Sequence, residues 1–138
     1  MAKITPCFEN GKGALLKDLE NGIGFGSTEF HVLRTSVSLD KEYLYYLTKT
    51  REFRVKGELN MQGSAGQKRV PTDYIKALKV LIPFDVEEQQ KIAAVLATWD
   101  QNIADIRGQV IRLLNEKTAL MQQLLTGERR VKVDDVAA

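Results

Sequence analysis

A polar segment with two glycines in the middle of the chain carries the residues best suited to contact phosphate. It runs from Asn60 to Pro71 and reads NMQGSAGQKRVP. Glycines expose backbone N–H groups, and the serine, glutamine, lysine and arginine side chains beside them are donors to phosphate oxygens. Flexible surface loops share this composition. The segment therefore indicates a phosphate-binding loop without excluding an ordinary one.

Basic residues are concentrated around this segment. Between Lys49 and Lys79, eight Lys/Arg residues face three Asp/Glu residues, a balance of +5. Residues 1–84 hold thirteen basic against nine acidic residues (+4), whereas residues 85–138 hold seven against nine (−2). The distribution favours a polyanion as the partner of the first part of the chain only. The alternative explanation is that basic residues at the end of a predicted helix complement its dipole and aid solubility.

The sequence does not support several kinds of catalytic and metal chemistry. His31 and Cys7 are the only histidine and cysteine, which excludes a His/Cys zinc site. No P-loop or nucleophile-elbow motif is present, and a strand rather than a helix is predicted to follow Gly22, Gly24 and Gly26, which argues against a dinucleotide fingerprint. We therefore expect a non-catalytic protein without metal or cofactor. One cysteine, no signal peptide and no membrane-length apolar run predict a cytoplasmic protein without membrane contact.

The elements that must position these residues are predicted to form a small mixed α/β domain. Strands are expected within Ile4–Leu16 and over Thr28–Arg34, and Leu78–Pro83 has the pattern of a buried strand. Asp40 is expected to cap a helix that runs to about Lys56. The expected fold class is therefore α+β, with a long helix after the small domain.

The stretch from Asp85 to Gly127 predicts one long helix whose apolar stripe lacks a partner in this chain. Asp85 is expected to cap its start and Gly127 to end it. Apolar residues recur in alternating steps of four and three, a heptad pattern sustained over more than four repeats. These interface positions are Ile92, Leu96, Trp99, Ile103, Ile106, Val110, Leu113, Leu120 and Leu124. A helix of about 40 residues would be about 60 Å long, so we expect it to form a coiled coil with another copy.

Six stretches in order along almost the whole chain resemble one known family. They are Pro6–Gly13 (PCFENGKG), Gly24–Phe30 (GFGSTEF), Leu44–Tyr46, Gly63–Val70 (GSAGQKRV), Leu81–Ala93 and Leu120–Arg130 (LMQQLLTGERR). Together they resemble the specificity (S) subunit of type I restriction-modification enzymes. The resemblance implies two target recognition domains, each followed by a long helix, with the two helices packed antiparallel as a spacer between the halves of a split DNA site.

The same resemblance implies the partners. Modification (methyltransferase) subunits bind around the helical scaffold, a restriction subunit can join them, and the specificity subunit performs no chemistry itself. The resemblance covers the later part of one recognition domain and one helix. We accordingly interpret residues 1–84 as a partial target recognition domain, residues 85–128 as the long coiled-coil helix, and residues 129–138 as a basic, then frayed tail.

The resulting hypothesis is a specificity-subunit fragment that recognises double-stranded DNA, scaffolds the methyltransferase subunits and forms a homodimer through residues 86–126. The proposed DNA-facing residues are Lys12, Ser64, Gln67, Lys68 and Arg69, with Arg51, Arg54 and Lys56 as further phosphate contacts. The alternative is an interaction module or decoy that binds modification subunits through its helix without useful DNA affinity.

Overall fold

The computed structural model describes residues 1–64 and 66–132, and within them the fold is built from helices. After a one-turn 3-10 helix, the α-helices are α1 (Lys41–Leu47), α2 (Arg51–Leu59), α3 (Thr72–Ala77) and α4 (Val86–Leu125). The chain divides into two compact units, Met1–Leu96 and the part that begins at Ala97. We refer to Met1–Leu96 as the first unit.

The expected α+β class is wrong, because no β-strand forms among the residues that the structure describes. Antiparallel contact is limited to three isolated bridges, which join Ala2 to Phe30, Ile4 to Arg69 and Gln62 to Arg69. A strand requires successive pairs along a ladder. Instead, the chain after Ile4 folds into consecutive turns, closed by bonds such as Phe8 N to Ile4 O and Lys12 N to Cys7 O, both 2.9 Å.

The other two expected strands are wrong for related reasons. In Thr28–Arg34 the buried side chain is His31, whose Nε2 donates to the Val70 carbonyl oxygen at 2.8 Å. Phe30 and Val32, which alternate with His31 along the segment, are exposed. In Leu78–Pro83 the chain forms no strand, and Leu81 is 98% exposed. The apolar run therefore lacks the neighbouring strands that would bury it.

Two short helices replace the single helix expected from Asp40 to Lys56. Asp40 does cap α1, because its Oδ1 accepts from the backbone N–H groups of Glu42 and Tyr43 at 2.9 Å. Thr50 then starts a new helix, since its hydroxyl accepts from the Phe53 N–H at 3.3 Å and donates to the Leu47 carbonyl at 2.8 Å. A threonine in the N-cap role interrupts an otherwise helical pattern.

A small aromatic core holds the first unit together. Phe8, Phe53 and Val70 are buried and cluster together, with the two rings 6.2 Å apart between centroids. Gly57 of α2 allows the helix to approach the Phe8 ring, since a Cβ there would lie 2.2 Å from Phe8 Cζ. Full burial of such an aromatic side chain is worth about 1.5–3 kcal/mol. Several large side chains of the same unit stay fully exposed, namely Phe25, Val37, Leu81 and Phe84.

Gln89 fixes the start of α4 within the first unit. The Gln89 side chain is fully buried, and its Oε1 accepts from the Asp40 N–H at 2.8 Å. Its Nε2 donates to the carbonyl oxygens of Ser38 (3.1 Å) and Pro83 (2.8 Å). One amide therefore joins α4 both to the loop before α1 and to the segment that precedes α4 itself. Ala93, one turn further on, is also buried.

The expected long helix is confirmed as α4, which has 40 residues. Asp85 Oδ1 accepts from the Glu87 N–H at 2.9 Å at its start. After its end Gly127 adopts a φ of +82°, a conformation that favours glycine. Residues 133–138, which include the frayed part of the expected tail, lie outside the described residues. Among the helices described, none is both long and apolar enough to span a membrane.

Candidate nucleic-acid interface

The N-terminal segment brings three polar parts of the chain together. Residues 2–5 of this segment form backbone hydrogen bonds with three other segments of the first unit. These bonds are Ala2 N to Lys12 O, Lys3 N to Glu29 O, Thr5 N to Lys68 O and Val70 N to Lys3 O, each 2.9 Å. Segments carrying Lys12, Glu29 and the Lys68–Arg69 pair are thus fixed to one short stretch of backbone.

Most of the polar residues expected to face DNA are exposed. Lys12, Ser64, Gln67 and Lys68 all have exposed side chains, while Ala65 lies outside the described residues. The loop around them depends on glycine, because Gly63 has a φ of +123° and a Cβ there would lie 2.7 Å from the Gln67 carbonyl oxygen. Donor groups are therefore presented to solvent on either side of a turn that requires glycine at position 63.

Arg69 is held by a carboxylate that lies 40 residues away in sequence. Arg69 Nε donates to Glu29 Oε2 at 2.9 Å, and Nη2 donates to Oε1 at 2.8 Å. Hydrogen bonding with the guanidinium lowers the pKa of Glu29 and raises that of Arg69. Nη1 donates to the Gln67 carbonyl at 2.9 Å, so the side chain is fixed on two sides. It nevertheless stays 40% exposed.

Arg54, expected to contact phosphate, is instead part of the core. It is 7% exposed, and its guanidinium carbon lies 4.8 Å from the Phe8 ring centroid and 5.7 Å from that of Phe53. Its Nη1 donates to the Phe8 carbonyl at 2.9 Å, while Nε and Nη2 are buried without a hydrogen-bond partner. Burial lowers the pKa of Arg54. We therefore leave Arg54 out of the proposed interface.

The other two basic residues expected on α2 are exposed. Arg51 is the first residue of the helix. Lys56 lies one turn before its end and pairs with Glu52, and hydrogen bonding to that carboxylate raises the pKa of Lys56. An exposed pair of this kind is weak, so Lys56 remains available to an external anion.

The apolar heptad positions of α4 are all exposed within the described part of the chain. Each of the nine is at least 37% exposed, and Trp99 and Leu113 exceed 60%. They are Ile92, Leu96, Trp99, Ile103, Ile106, Val110, Leu113, Leu120 and Leu124. A stripe of large apolar side chains in contact with water is typical of a surface that another helix covers.

Sequence reasoning missed Glu29 and Lys3. The positive charge of Lys3 contributes to the lowered pKa of Glu29, which places the two side chains in one electrostatic neighbourhood with Arg69. No local motif marks Glu29, because its partner comes from a distant part of the sequence. Within the described residues, no cluster of three or more His, Cys, Asp or Glu side chains could hold a metal ion.

Comparisons with known proteins identify the family. Residues 17–116 match the family model described as "Type I restriction modification DNA specificity domain". The chain is similar to the specificity subunit of the type I restriction enzyme EcoAI from Escherichia coli, with 46% identity over 93 residues, 67% of this chain and 16% of that protein. It is also similar to the EcoEI specificity subunit from the same organism, with 43% identity over 89 residues, 64% of this chain and 15% of the relative.

These alignments cover only a small part of the relatives, since the chain spans about 16% of the length of the EcoAI subunit. No solved structure matches the chain. The family match nevertheless covers most of the sequence, including the loop that carries Arg69 and much of α4. The chain belongs to the family of type I restriction-modification DNA specificity domains.

Proposed function

We propose that this chain is a non-catalytic DNA-recognition fragment of a type I restriction-modification system. The observation that carries the proposal is the match of residues 17–116 to a DNA specificity domain. Exposed basic side chains support it, because phosphate contacts supply most of the affinity of such proteins for duplex DNA. They are Lys12, Arg51, Lys56, Lys68 and Arg69. Residues 1–84 would form the recognition part and residues 85–128 the scaffold.

Salt dependence of DNA binding tests this role. Five phosphate contacts predict a log–log slope of about −4.5, so a fourfold rise in salt would lower affinity about 500-fold. Fluorescence anisotropy with a labelled 30-bp duplex measures the slope. Lys68→Gln should reduce its magnitude by about 0.9, whereas Lys76→Gln, at an exposed lysine of α3 outside the proposed set, should leave it unchanged. Undetectable or salt-independent binding would contradict the proposed function.

The exposed heptad stripe of α4 supports self-association. In a parallel, in-register pair the two Lys117 side chains would face each other within the seam, where like charges repel. An antiparallel pair places Lys117 opposite a different residue. We therefore propose an antiparallel homodimer through residues 86–126, so that a second copy covers the exposed heptad stripe.

Sedimentation tests the dimer. Ile106→Asp places a charge in the seam, where burial without a partner costs several kcal/mol, and should give a monomer mass. Asn115→Asp introduces the same charge on the opposite face of α4 and serves as the matched control. An unchanged dimer mass for Ile106→Asp, or a monomeric parent chain, would remove the homodimer.

A second apolar stripe on α4 supports docking of a modification subunit. Ile111, Leu114, Met121 and Leu125 are each at least 49% exposed and lie beside the heptad stripe rather than within it. Apolar residues beyond the two seam positions of each heptad are typical of bundles with more than two helices. We propose that helices of the methyltransferase subunit cover this stripe in the assembled enzyme.

Co-purification with a tagged type I modification subunit tests the docking site. Leu114→Asp should abolish capture of the modification subunit while the dimer mass stays unchanged. Ala119→Asp introduces the same charge at an exposed position of α4 outside this stripe and should have no effect on capture. Retained capture by the Leu114→Asp variant would contradict this assignment of the stripe.

A further inference from the structure

The Glu29–Arg69 pair fixes the arginine from both its backbone and its side chain. Arg69 exchanges backbone hydrogen bonds with Gln62, with N to O distances of 2.8 and 2.9 Å. Glu29 is fixed in turn, because its carbonyl oxygen accepts from the Lys3 N–H at 2.9 Å. The two oxygens of Glu29 accept from Arg69 Nε and Nη2, and the Gln67 carbonyl accepts from Nη1. The guanidinium is therefore held by hydrogen bonds from two sides.

This arrangement leaves two N–H donors of the Arg69 guanidinium without an acceptor among these internal bonds. The group carries five N–H donors, one on Nε and two on each terminal nitrogen. The internal bonds engage one donor on each of the three nitrogens. One N–H on Nη1 and one on Nη2 remain, and the side chain is 40% exposed. A pair of donors in fixed geometry matches a pair of acceptors, such as two phosphate oxygens or O6 and N7 of guanine.

We propose that Glu29 is a positioning residue that orients Arg69 for a bidentate contact with paired acceptor atoms of duplex DNA. The proposal rests on the DNA-binding function proposed above and adds a residue that carries the wrong charge to bind DNA itself. Side chains that hold a recognition group in its productive geometry reduce the ordering cost of binding. A carboxylate beside a DNA-binding arginine thus contributes to affinity through its partner.

If Glu29 shielded Arg69 instead of positioning it, the Glu29→Gln substitution would change DNA affinity in the opposite direction. If the carboxylate shielded Arg69 from DNA, its removal would strengthen binding. Simple electrostatics predicts the same result, because Glu29→Gln makes the chain more positive by one charge. Positioning predicts weaker binding in spite of the added charge. Glu20→Gln, at an exposed carboxylate of the same unit, makes an identical charge change and is the matched control.

The experiment measures the affinity of the full chain for a labelled 30-bp duplex with Glu29→Gln, Arg69→Lys, the double variant and Glu20→Gln. We expect Glu29→Gln and Arg69→Lys each to weaken binding about fivefold or more, the lower range for a bidentate contact. The double variant should bind no more weakly than Arg69→Lys alone, since Glu29 acts only through the arginine fork. A merely structural role of Glu29 would still weaken binding in the Arg69→Lys background, and that result would overturn the proposal.

Two further measurements distinguish phosphate oxygens from guanine atoms as the acceptors of the Arg69 contact. If the acceptors are phosphate oxygens, Arg69→Gln weakens binding uniformly across sequences and lowers the magnitude of the salt slope by about 0.9. If they belong to guanine, duplexes selected from a random pool lose a guanine preference at one position in the Glu29→Gln variant. Glu29→Gln affinity equal to or higher than that of Glu20→Gln overturns the positioning role while parent-chain binding stands. Absent or salt-independent binding by the parent chain overturns both proposals.

Discussion

Replacing Gly57 with alanine would place a methyl group inside the aromatic core of the first unit. The new Cβ would lie 2.2 Å from Phe8 Cζ and 2.6 Å from Cε1, whereas unstrained carbon contacts are about 3.5–4.0 Å. The Phe8 ring is fully buried, so either the ring or α2 must move by about 1 Å or more. The structure thus predicts a clash that no exposed side chain can relieve.

The expected change in the free energy of unfolding follows from two opposing effects. Overpacking of a core costs about 1–3 kcal/mol, and a contact as short as 2.2 Å is at the upper end. Alanine in place of glycine inside a helix recovers about 1 kcal/mol. We therefore expect Gly57→Ala to lower the free energy of unfolding by about 2 kcal/mol, and the thermal midpoint by about 8 °C or more for a unit of this size.

Thermal unfolding followed by circular dichroism measures the effect, and Gly108→Ala is a matched control. Gly108 lies in α4, where an added Cβ would meet only Arg112 Nη1 at 3.6 Å, so the same substitution should stabilise the helix by up to about 1 kcal/mol. Truncation of the ring in a Phe8→Leu background should reduce the cost of Gly57→Ala. A midpoint for Gly57→Ala at or above that of the parent chain would refute the packing described here.

Two other predictions concern polar contacts of the first unit. Gln89→Leu should lower the free energy of unfolding in urea by about 3 kcal/mol, because one N–H and two carbonyl groups lose their partner; Gln90→Leu, at the exposed neighbour, should change it little. Since hydrogen bonding with Arg69 lowers the pKa of Glu29, its stabilising contribution is present above the ordinary glutamate pKa and is lost as the pH falls through the lower folded value. The stability difference between the parent chain and Glu29→Gln should therefore be constant from pH 7 to about pH 5 and shrink below; a constant difference down to pH 3 would contradict the pairing.

Features encoded by local sequence were predicted, and features that depend on distant partners were not. The heptad repeat, the Asp85 cap and the Gly127 stop are all local, and α4 follows from them. Alternating apolar residues predicted strands, but a strand also needs a neighbour, and the described residues supply only isolated bridges. The missed break between α1 and α2 depended on Thr50, a residue that also occurs inside helices.

In the candidate interface, too, residues marked by local composition were predicted, and residues that depend on distant partners were not. The loop residues Ser64, Gln67 and Lys68 are exposed, and composition alone singled them out. Arg54 has the same charge, yet its planar guanidinium packs against two rings contributed by different segments. Glu29 carried no signal at all, because its importance arises from an arginine that lies close only after folding. Periodicity indicates which residues share one face of an element, but not which distant group, if any, covers that face.

The small core of the first unit links its folding to association. Few apolar side chains are fully buried among the described residues, while Phe25, Leu81 and Phe84 face solvent. Any partner that binds only the folded form adds to stability by mass action, by about 2.7 kcal/mol at a hundred times its dissociation constant. For a chain that associates with its own copies, the unfolding midpoint then rises with protein concentration. For a chain that binds such a partner, the folded population in a cell would rise with the abundance of that partner.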